Sequence, residues 1–251
     1  MRRKKGHGIR VSFIIITATS LVLTLSTLGY YLLQYRDSDL LNDKIVEIAF
    51  GDDSDTDTGQ DNQTPNGSID HAALFGVNGD YAGWLMVEGT EISQPVVFSA
   101  QEQYYLRRDF DKNKSVAGTV FMDYQNNKDF SDTNTMVFGH NMKNGSMFAP
   151  LQSFLIKDFF EANRIIYLST PKGEYRYEIF AVYQTKPSAV PYMPGMLAGD
   201  ELNQLLGMIN KLSLFEREVS ITQGDRILTL GTCGYNFKNA RIVVHAKLIQ
   251  D

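Results

Sequence analysis

The chain's single cysteine, Cys233, closes the run Thr229-Leu-Gly-Thr-Cys233, and the residues Gly234-Tyr-Asn-Phe-Lys-Asn239 lead on to Arg241-Ile-Val-Val-His-Ala-Lys-Leu248. A thiol attacks as thiolate. Cysteine chemistry therefore needs a base or cation beside the sulfur and a donor for the oxyanion raised on an attacked carbonyl. Buried cysteines are more often small, inert core residues. The setting of this one favours chemistry: Ile227 to Thr232 reads as a strand, which puts the thiol at the strand's end, beside glycine, on a sheet rim.

The chain offers four histidines as partners. His7 lies in a basic N-terminal flank, His71 beside a polar linker and His245 in the middle of the last strand. His71 and His245 read as surface or satisfied core residues. His140 follows the strand-like Thr135–Gly139 and opens the Gly/Asn-rich loop Asn141–Met147, a rim position of the same kind as that of Cys233. Arg241 begins the strand after the cysteine turn. A hairpin-like return would bring its guanidinium back to the thiol; otherwise it is a solvated arginine at a strand start. Other chemistries lack their residues. There is no second cysteine, C-x-x-C or H-x-x-x-H for structural zinc, and no G-x-x-x-x-G-K-[ST] or G-x-G-x-x-G for nucleotides, so neither a metal nor another cofactor is expected.

These residues need a rigid frame. Short strands are expected near Gly83–Val87, Pro95–Phe98, Gly118–Asp123, Thr135–Gly139, Arg164–Ser169, Tyr175–Gln184, Arg226–Thr232 and Arg241–Ile249, and Tyr175, Tyr177, Ile179, Ala181 and Tyr183 alternate with the period of a half-buried strand. Eight strands with few helical intervals imply a mainly β chain folded as a closed or nearly closed barrel. Short helices are expected at Gln101–Arg107 and Met147–Phe160. A third, Asp200–Leu212, has Leu202, Leu205, Leu206, Ile209 and Leu212 on one stripe and Asp200 as N-cap. It lies in a long connection, Lys186 to Gly224, of the kind that forms a lid, a binding wall or an edge cover.

The N-terminal quarter, residues 1–68, is organised differently. Residues 1–10 carry Arg2, Arg3, Lys4, Lys5 and Arg10 and no acid, and residues 11–33 carry no charge. As a helix, residues 11–33 span roughly 35 Å, enough for a hydrocarbon core of about 30 Å. The basic flank would stay cytoplasmic and the rest of the chain outside the cell. The run is longer than a cleaved signal's apolar region and ends in Gly29-Tyr-Tyr-Leu-Leu33, which suits an uncleaved anchor better. Residues 34–68 combine a helix-like stretch, Asp39–Phe50, with an acidic spacer, 51–68, of five aspartates and no basic residue. Those aspartates are spaced somewhat like a calcium loop but lack its glycine and glutamate, so a solvated spacer is the better account. Residues 69–251 form the globular domain. A net charge of −5 argues against nucleic acid as a partner, and one cysteine leaves no internal disulfide.

Taken together, these motifs resemble the sortase family. TLGTC is similar to its TLxTC signature, Phe138-Gly-His-Asn-Met142 to its histidine motif, and Arg241–Leu248 to its arginine strand. The order of the three residues and the N-terminal anchor agree. Gly83-Trp-Leu85, Pro95-Val-Val97, Tyr104–Phe110, Gly118–Asp123 and the helix-bearing connection resemble class B. The resemblance implies an eight-stranded sortase-type barrel with N-terminal helices and a membrane-anchored cysteine transpeptidase of a Gram-positive surface. Cys233 would attack the threonine carbonyl of a sorting signal in a secreted protein. His140 would protonate the leaving amine and help deprotonate the incoming one. Arg241, assisted by backbone N–H near Gly234, would hold the oxyanion. A peptidoglycan-precursor amine would resolve the thioacyl enzyme, or a lysine of another subunit in a pilus-type member. Leu106, Phe138, Thr232 and Tyr192 would line the sorting-signal groove. Gly231, where many class B members have serine, and Gly234, where some have an acid, depart from the pattern beside the thiol; Phe138 replaces a tyrosine found in some. Two other readings are a plain cysteine protease and a non-catalytic, membrane-tethered binding module with Cys233 in its core.

Overall fold

The alternating strands close on themselves. In the computed structural model, which describes residues 5–51, 68–235 and 237–250 with side chains from Phe13 onward, the strands are β1 (Tyr81–Val87), β2 (Ser93–Val97), β3 (Val120–Met122), β4 (Asn134–Phe138), β5 (Ile165–Thr170), β6 (Gly173–Thr185), β7 (Phe215–Glu216), β8 (Ile227–Gly234) and β9 (Ala240–Leu248). They pair in the order β5-β1-β2-β3-β4-β8-β9-β6, and β5 pairs with β6 to complete an eight-stranded barrel, with β7 added to β6 alone. The expected barrel is present. All eight expected strands are found, with bounds moved by a few residues. The largest consequence is at β8, which continues through Cys233 to Gly234, so the thiol lies within a strand.

Two pairings decide where the chemistry falls. β4 and β8 run parallel, with Phe138 opposite Gly231. The C-terminal ends of both strands therefore lie at one rim of the barrel, although 88 intervening residues, 139–226, separate them in the chain. β8 and β9 run antiparallel, with Cys233 opposite Arg241, so β9 starts at that same rim. Successive side chains alternate faces. Val137, Leu228, Leu230, Ile242 and Val244 fill the interior together with Leu85, Val96, Val120 and Leu168, each such burial contributing about 1.5–3 kcal/mol.

The opposite face of these strands is covered in part by the long connection. Helix α4 (Asp200–Leu212) buries Leu202, Leu205 and Ile209 against Phe180, Ala181 and Ile227. Backbone bonds from Asn134 N–H to the Gly195 carbonyl (3.1 Å) and from Gly195 N–H to the Asn134 carbonyl (3.0 Å) strap the connection to β4. The N-cap of α4 is Gly199, at φ 54°, and not Asp200, which occupies the first helical turn. There its carboxylate still faces the positive end of the helix. Of the expected short helices, the first is a 3-10 turn at Tyr104–Arg107, and the second divides into a 3-10 segment at Ala149–Leu155 and the α-helix α3 at Lys157–Ala162.

The chain divides into two units, Met1–Asp43 and Lys44–Asp251. The N-terminal apolar run and the helix-like 39–50 stretch belong to one helix, α1 (Lys5–Phe50), and a short helix, α2 (His71–Val77), precedes β1. Its Phe13–Phe50 portion is long and apolar enough to cross a membrane. Within the second unit, Ile45 and Ala49 are buried and Phe50 meets Trp84 edge-on at 5.4 Å. The spacer expected at 51–68 lies, over 52–67, outside the described residues, as do Arg2, Arg3 and Lys4.

Candidate active site

The rim made by the ends of β4 and β8 and the start of β9 gathers the three residues expected to do chemistry. Gly139 N–H donates to the Gly231 carbonyl at 3.3 Å. The odd-numbered residues of β8 therefore turn their backbone groups toward β4, and the Cys233 carbonyl follows suit by accepting from the Asn141 side-chain amide at 2.6 Å. Cys233 and Arg241 consequently form a non-hydrogen-bonded pair across the β8–β9 ladder, the pair type with the closer side chains. Both project to the outer face and both are half-buried. Arg241 is steadied by its own turn: its guanidinium donates to the Ala240 carbonyl at 3.1 Å.

His140 lies immediately past β4, where the chain leaves the sheet. Its Nε2 is 2.8 Å from the carbonyl of Leu106 in the 3-10 turn. A carbonyl can only accept, so Nε2 carries the hydrogen and the neutral ring keeps its lone pair on Nδ1. Burial holds the imidazole below its ordinary pKa; the Leu106 carbonyl pulls the other way by stabilising the imidazolium, and Arg107 adds to the lowering. The result is a neutral base at neutral pH with a fixed tautomer. The carbonyl is presented by a close backbone approach. Gly118 has φ 63°, and a Cβ there would fall 2.7 Å from the Tyr105 carbonyl oxygen and 2.8 Å from that of Leu106. Only glycine allows this approach.

The predicted groove residues divide between the two faces. Phe138 and Gly231 are paired on the Cys233 face. The Phe138 ring lies over Gly231, where a Cβ would be 3.0 Å from the ring. Phe138 also packs against Phe121 at 5.7 Å and against the exposed Tyr192 of the long connection at 6.2 Å. Leu106 is half-buried and reaches the site through its carbonyl. Thr232 and Gly234 alternate to the other face. The Thr232 hydroxyl donates to the Gly139 carbonyl at 2.7 Å, tying β8 to the residue before His140. A Cβ on Gly234 would meet Gln184 Nε2 at 2.3 Å and the Ala240 Cβ at 3.0 Å, so an acidic side chain has no room there unless Gln184 moves.

Sequence reasoning passed over Asn141 and its partner Gln152. Asn141 is buried, and its Oδ1 accepts from Gln152 Nε2 at 3.2 Å; the signal, a side-chain amide directly after His140, was present. His245 and His71 are satisfied, as expected. His245 is buried between the Tyr183 hydroxyl (3.0 Å) and the Thr229 hydroxyl (2.8 Å). His71 contacts the Tyr81 and Ser169 hydroxyls at 2.9 and 3.0 Å. Among the described residues no cluster of histidine, cysteine and carboxylates could hold a metal ion.

A family model described as "Sortase domain" matches residues 85–249. The chain is 35% identical to Sortase B of Listeria monocytogenes over 175 residues, which is 69% of this chain and 71% of the relative. Among solved structures it is similar to Clostridium perfringens sortase B, with a TM-score of 0.67 and 40% identity over 71% of this chain and 99% of that one. It is also similar to a Streptococcus pyogenes class B sortase involved in pilus biogenesis, with a TM-score of 0.65 and 28% identity over 71% and 97% of the two chains.

Proposed function

Because the chain belongs to the sortase family, as a class B cysteine transpeptidase, we propose that it cleaves a C-terminal sorting signal at a threonine carbonyl through Cys233 and passes the acyl group to a cell-wall amine. The reading rests on one observation: the parallel β4–β8 and antiparallel β8–β9 pairings bring His140, Cys233 and Arg241 to one rim. The Cys233 proton passes to Nδ1 of His140, and the thiolate attacks the threonine carbonyl carbon. As the C–S bond forms, the carbonyl oxygen takes the negative charge, and Arg241 stabilises it. The C–N bond then breaks, and the leaving amine takes the proton from His140 Nδ1. In the second half, an acceptor amine attacks the thioester, its proton goes to His140, and the Cys233 thiolate departs. The Leu106 carbonyl keeps Nε2–H out of these transfers and leaves Nδ1 as the site that cycles.

Sortases are cell-surface enzymes that act on sorting-signal proteins and cell-wall precursors. Here the N-terminal helix, read as a signal-anchor over residues 11–33 with the basic flank inside, would tether the catalytic domain on the outer side of the membrane. Cys233→Ala is expected to abolish the thioacyl adduct with a sorting-signal peptide, measured by intact-protein mass spectrometry, while far-UV circular dichroism and melting stay close to wild type. Full cleavage by that variant would overturn the reading. The likeness to a class B pilus sortase favours one second reading, in which the acceptor is a lysine of another subunit. Sequencing the product cross-link separates the two.

A further inference from the structure

We propose that Asn141 is a positioning residue for the thiol–imidazole pair: its side chain supplies the last rung of the β4–β8 ladder and thereby sets Cys233 against His140. The inference rests on the catalytic reading of Cys233 and His140 given above.

In a parallel ladder, rungs recur every second residue along each strand. The Gly139 N–H to Gly231 carbonyl bond is one rung, and the next would run from residue 141 to the Cys233 carbonyl. Strand β4 has already ended at Phe138, and no backbone amide need stand there. The bond is made by the Asn141 side-chain amide, at 2.6 Å from the Cys233 oxygen. This substitution of side chain for backbone lets the main chain bend out of the sheet at His140 while the strand bearing the thiol stays registered to it.

The amide's orientation is set by its other contacts. Gln152 Nε2 donates to Asn141 Oδ1 at 3.2 Å, and the Cys233 carbonyl can only accept. Turning the amide over would place oxygen against oxygen at one end and donor against donor at the other. The backbone of Asn141 is held as well: it bridges to Met147 across the loop, and its carbonyl accepts from the Tyr235 hydroxyl two residues past the thiol. Asn141 is 4% exposed, so water offers little competition for these bonds. The carbonyl of Leu106 fixes His140 from one side, and Asn141 fixes Cys233 on the other. Together the two contacts define the separation across which the proton moves.

The test uses three variants of the full chain, each normalised to titratable thiol. Asn141→Ala removes the rung. Asn141→Asp keeps the shape but sets an acceptor against the Cys233 carbonyl. Gln152→Met, at a half-buried position, keeps the rung and frees its orientation. Single-turnover acylation with a sorting-signal peptide should slow about 10- to 100-fold in Asn141→Ala, more in Asn141→Asp, and about 3-fold in Gln152→Met, with KM within two-fold of wild type. The pH profile of Cys233 alkylation by iodoacetamide should move toward that of a His140→Ala enzyme. Wild-type acylation with unchanged rates and profiles in the folded variants would overturn the inference; a residue that only stabilises the loop would lower the melting temperature and leave both unmoved. If the Asn141 variants do not fold, Gln152→Met decides alone. A wild-type chain that forms no thioacyl adduct would instead defeat the catalytic reading, while the alkylation profiles would still report on the positioning.

Discussion

Two histidines beside one pair of strands, β4 and β8, contrast a structural imidazole with the one proposed to react. His245, in the middle of β9, is buried, and both its nitrogens meet hydroxyls, those of Tyr183 and Thr229. Thr229 in turn donates to Asn134 at 2.7 Å, and Asn134 donates to the Met193 carbonyl at 2.8 Å. The cluster thus fastens the long connection to the barrel. His140, past the end of β4, has its Nε2 held by a backbone carbonyl, that of Leu106. Burial lowers the pKa of both, for His245 to about 3. The difference lies in accessibility. A mid-strand ring is sealed between packed layers, whereas the ring past the strand end is only half-buried.

The sharpest way to break this comparison is to remove each ring in turn. His140→Ala should slow acylation by about 10²–10⁴-fold and leave the melting temperature nearly unchanged, as read by single-turnover kinetics and calorimetry. His245→Gln should do the reverse. It should cost about 1–3 kcal/mol of unfolding free energy in urea titrations, because buried hydroxyls lose their partners, with the acylation pH profile preserved. A parallel loss of activity in both variants would mean that the two sites are not separable.

The buried member of the pair also links stability to pH. His245 has a folded pKa near 3 and an unfolded value near 6.5. Between those values the unfolded chain binds a proton that the folded chain refuses, so stability falls as pH drops through this window and is fully present above it. The contribution to the slope is at most about 1.4 kcal/mol per pH unit. His245→Gln should flatten the wild-type stability profile between pH 6.5 and 3 by up to that amount. Urea midpoints measured at half-unit steps test this.

The smallest expected effect concerns the groove floor. Gly231→Ser introduces a Cβ 3.0 Å from the Phe138 ring, so the ring, backed by Phe121 and Tyr192, must shift by a few tenths of an ångström. Stability should change by less than about 1 kcal/mol, while a peptide-library cleavage assay should show altered preference among sorting signals. Unchanged preference would remove Phe138 and Gly231 from substrate contact.

Much of the fold was legible because its signals are local. The β-branched run ending at Cys233, the alternation of Tyr175 to Tyr183 and the leucine stripe of α4 each reflect burial that repeats within a few residues. Boundaries were less legible. Asp200 is a good N-cap type, yet Gly199 takes the cap, since the entering chain's conformation and not residue preference decides that position. The contribution of Asn141 was hidden for a different reason: a side-chain amide reads as loop polarity until its partner, 92 residues away, is known.

The amino-acid sequence by itself determined the residue types at the site, the barrel's strand content, the apolar N-terminal run and the family resemblance, because hydrophobic periodicity and short motifs act over neighbouring residues. Only the tertiary structure decided which residues share a face. The parallel β4–β8 register set His140 beside Cys233, and the antiparallel return set Arg241 opposite it. Alternation turned Thr232 and Gly234 away, and the early end of β4 gave a side chain the place of a backbone rung. Register depends on pairings between distant segments, which the fold settles by burying one face of every strand at once.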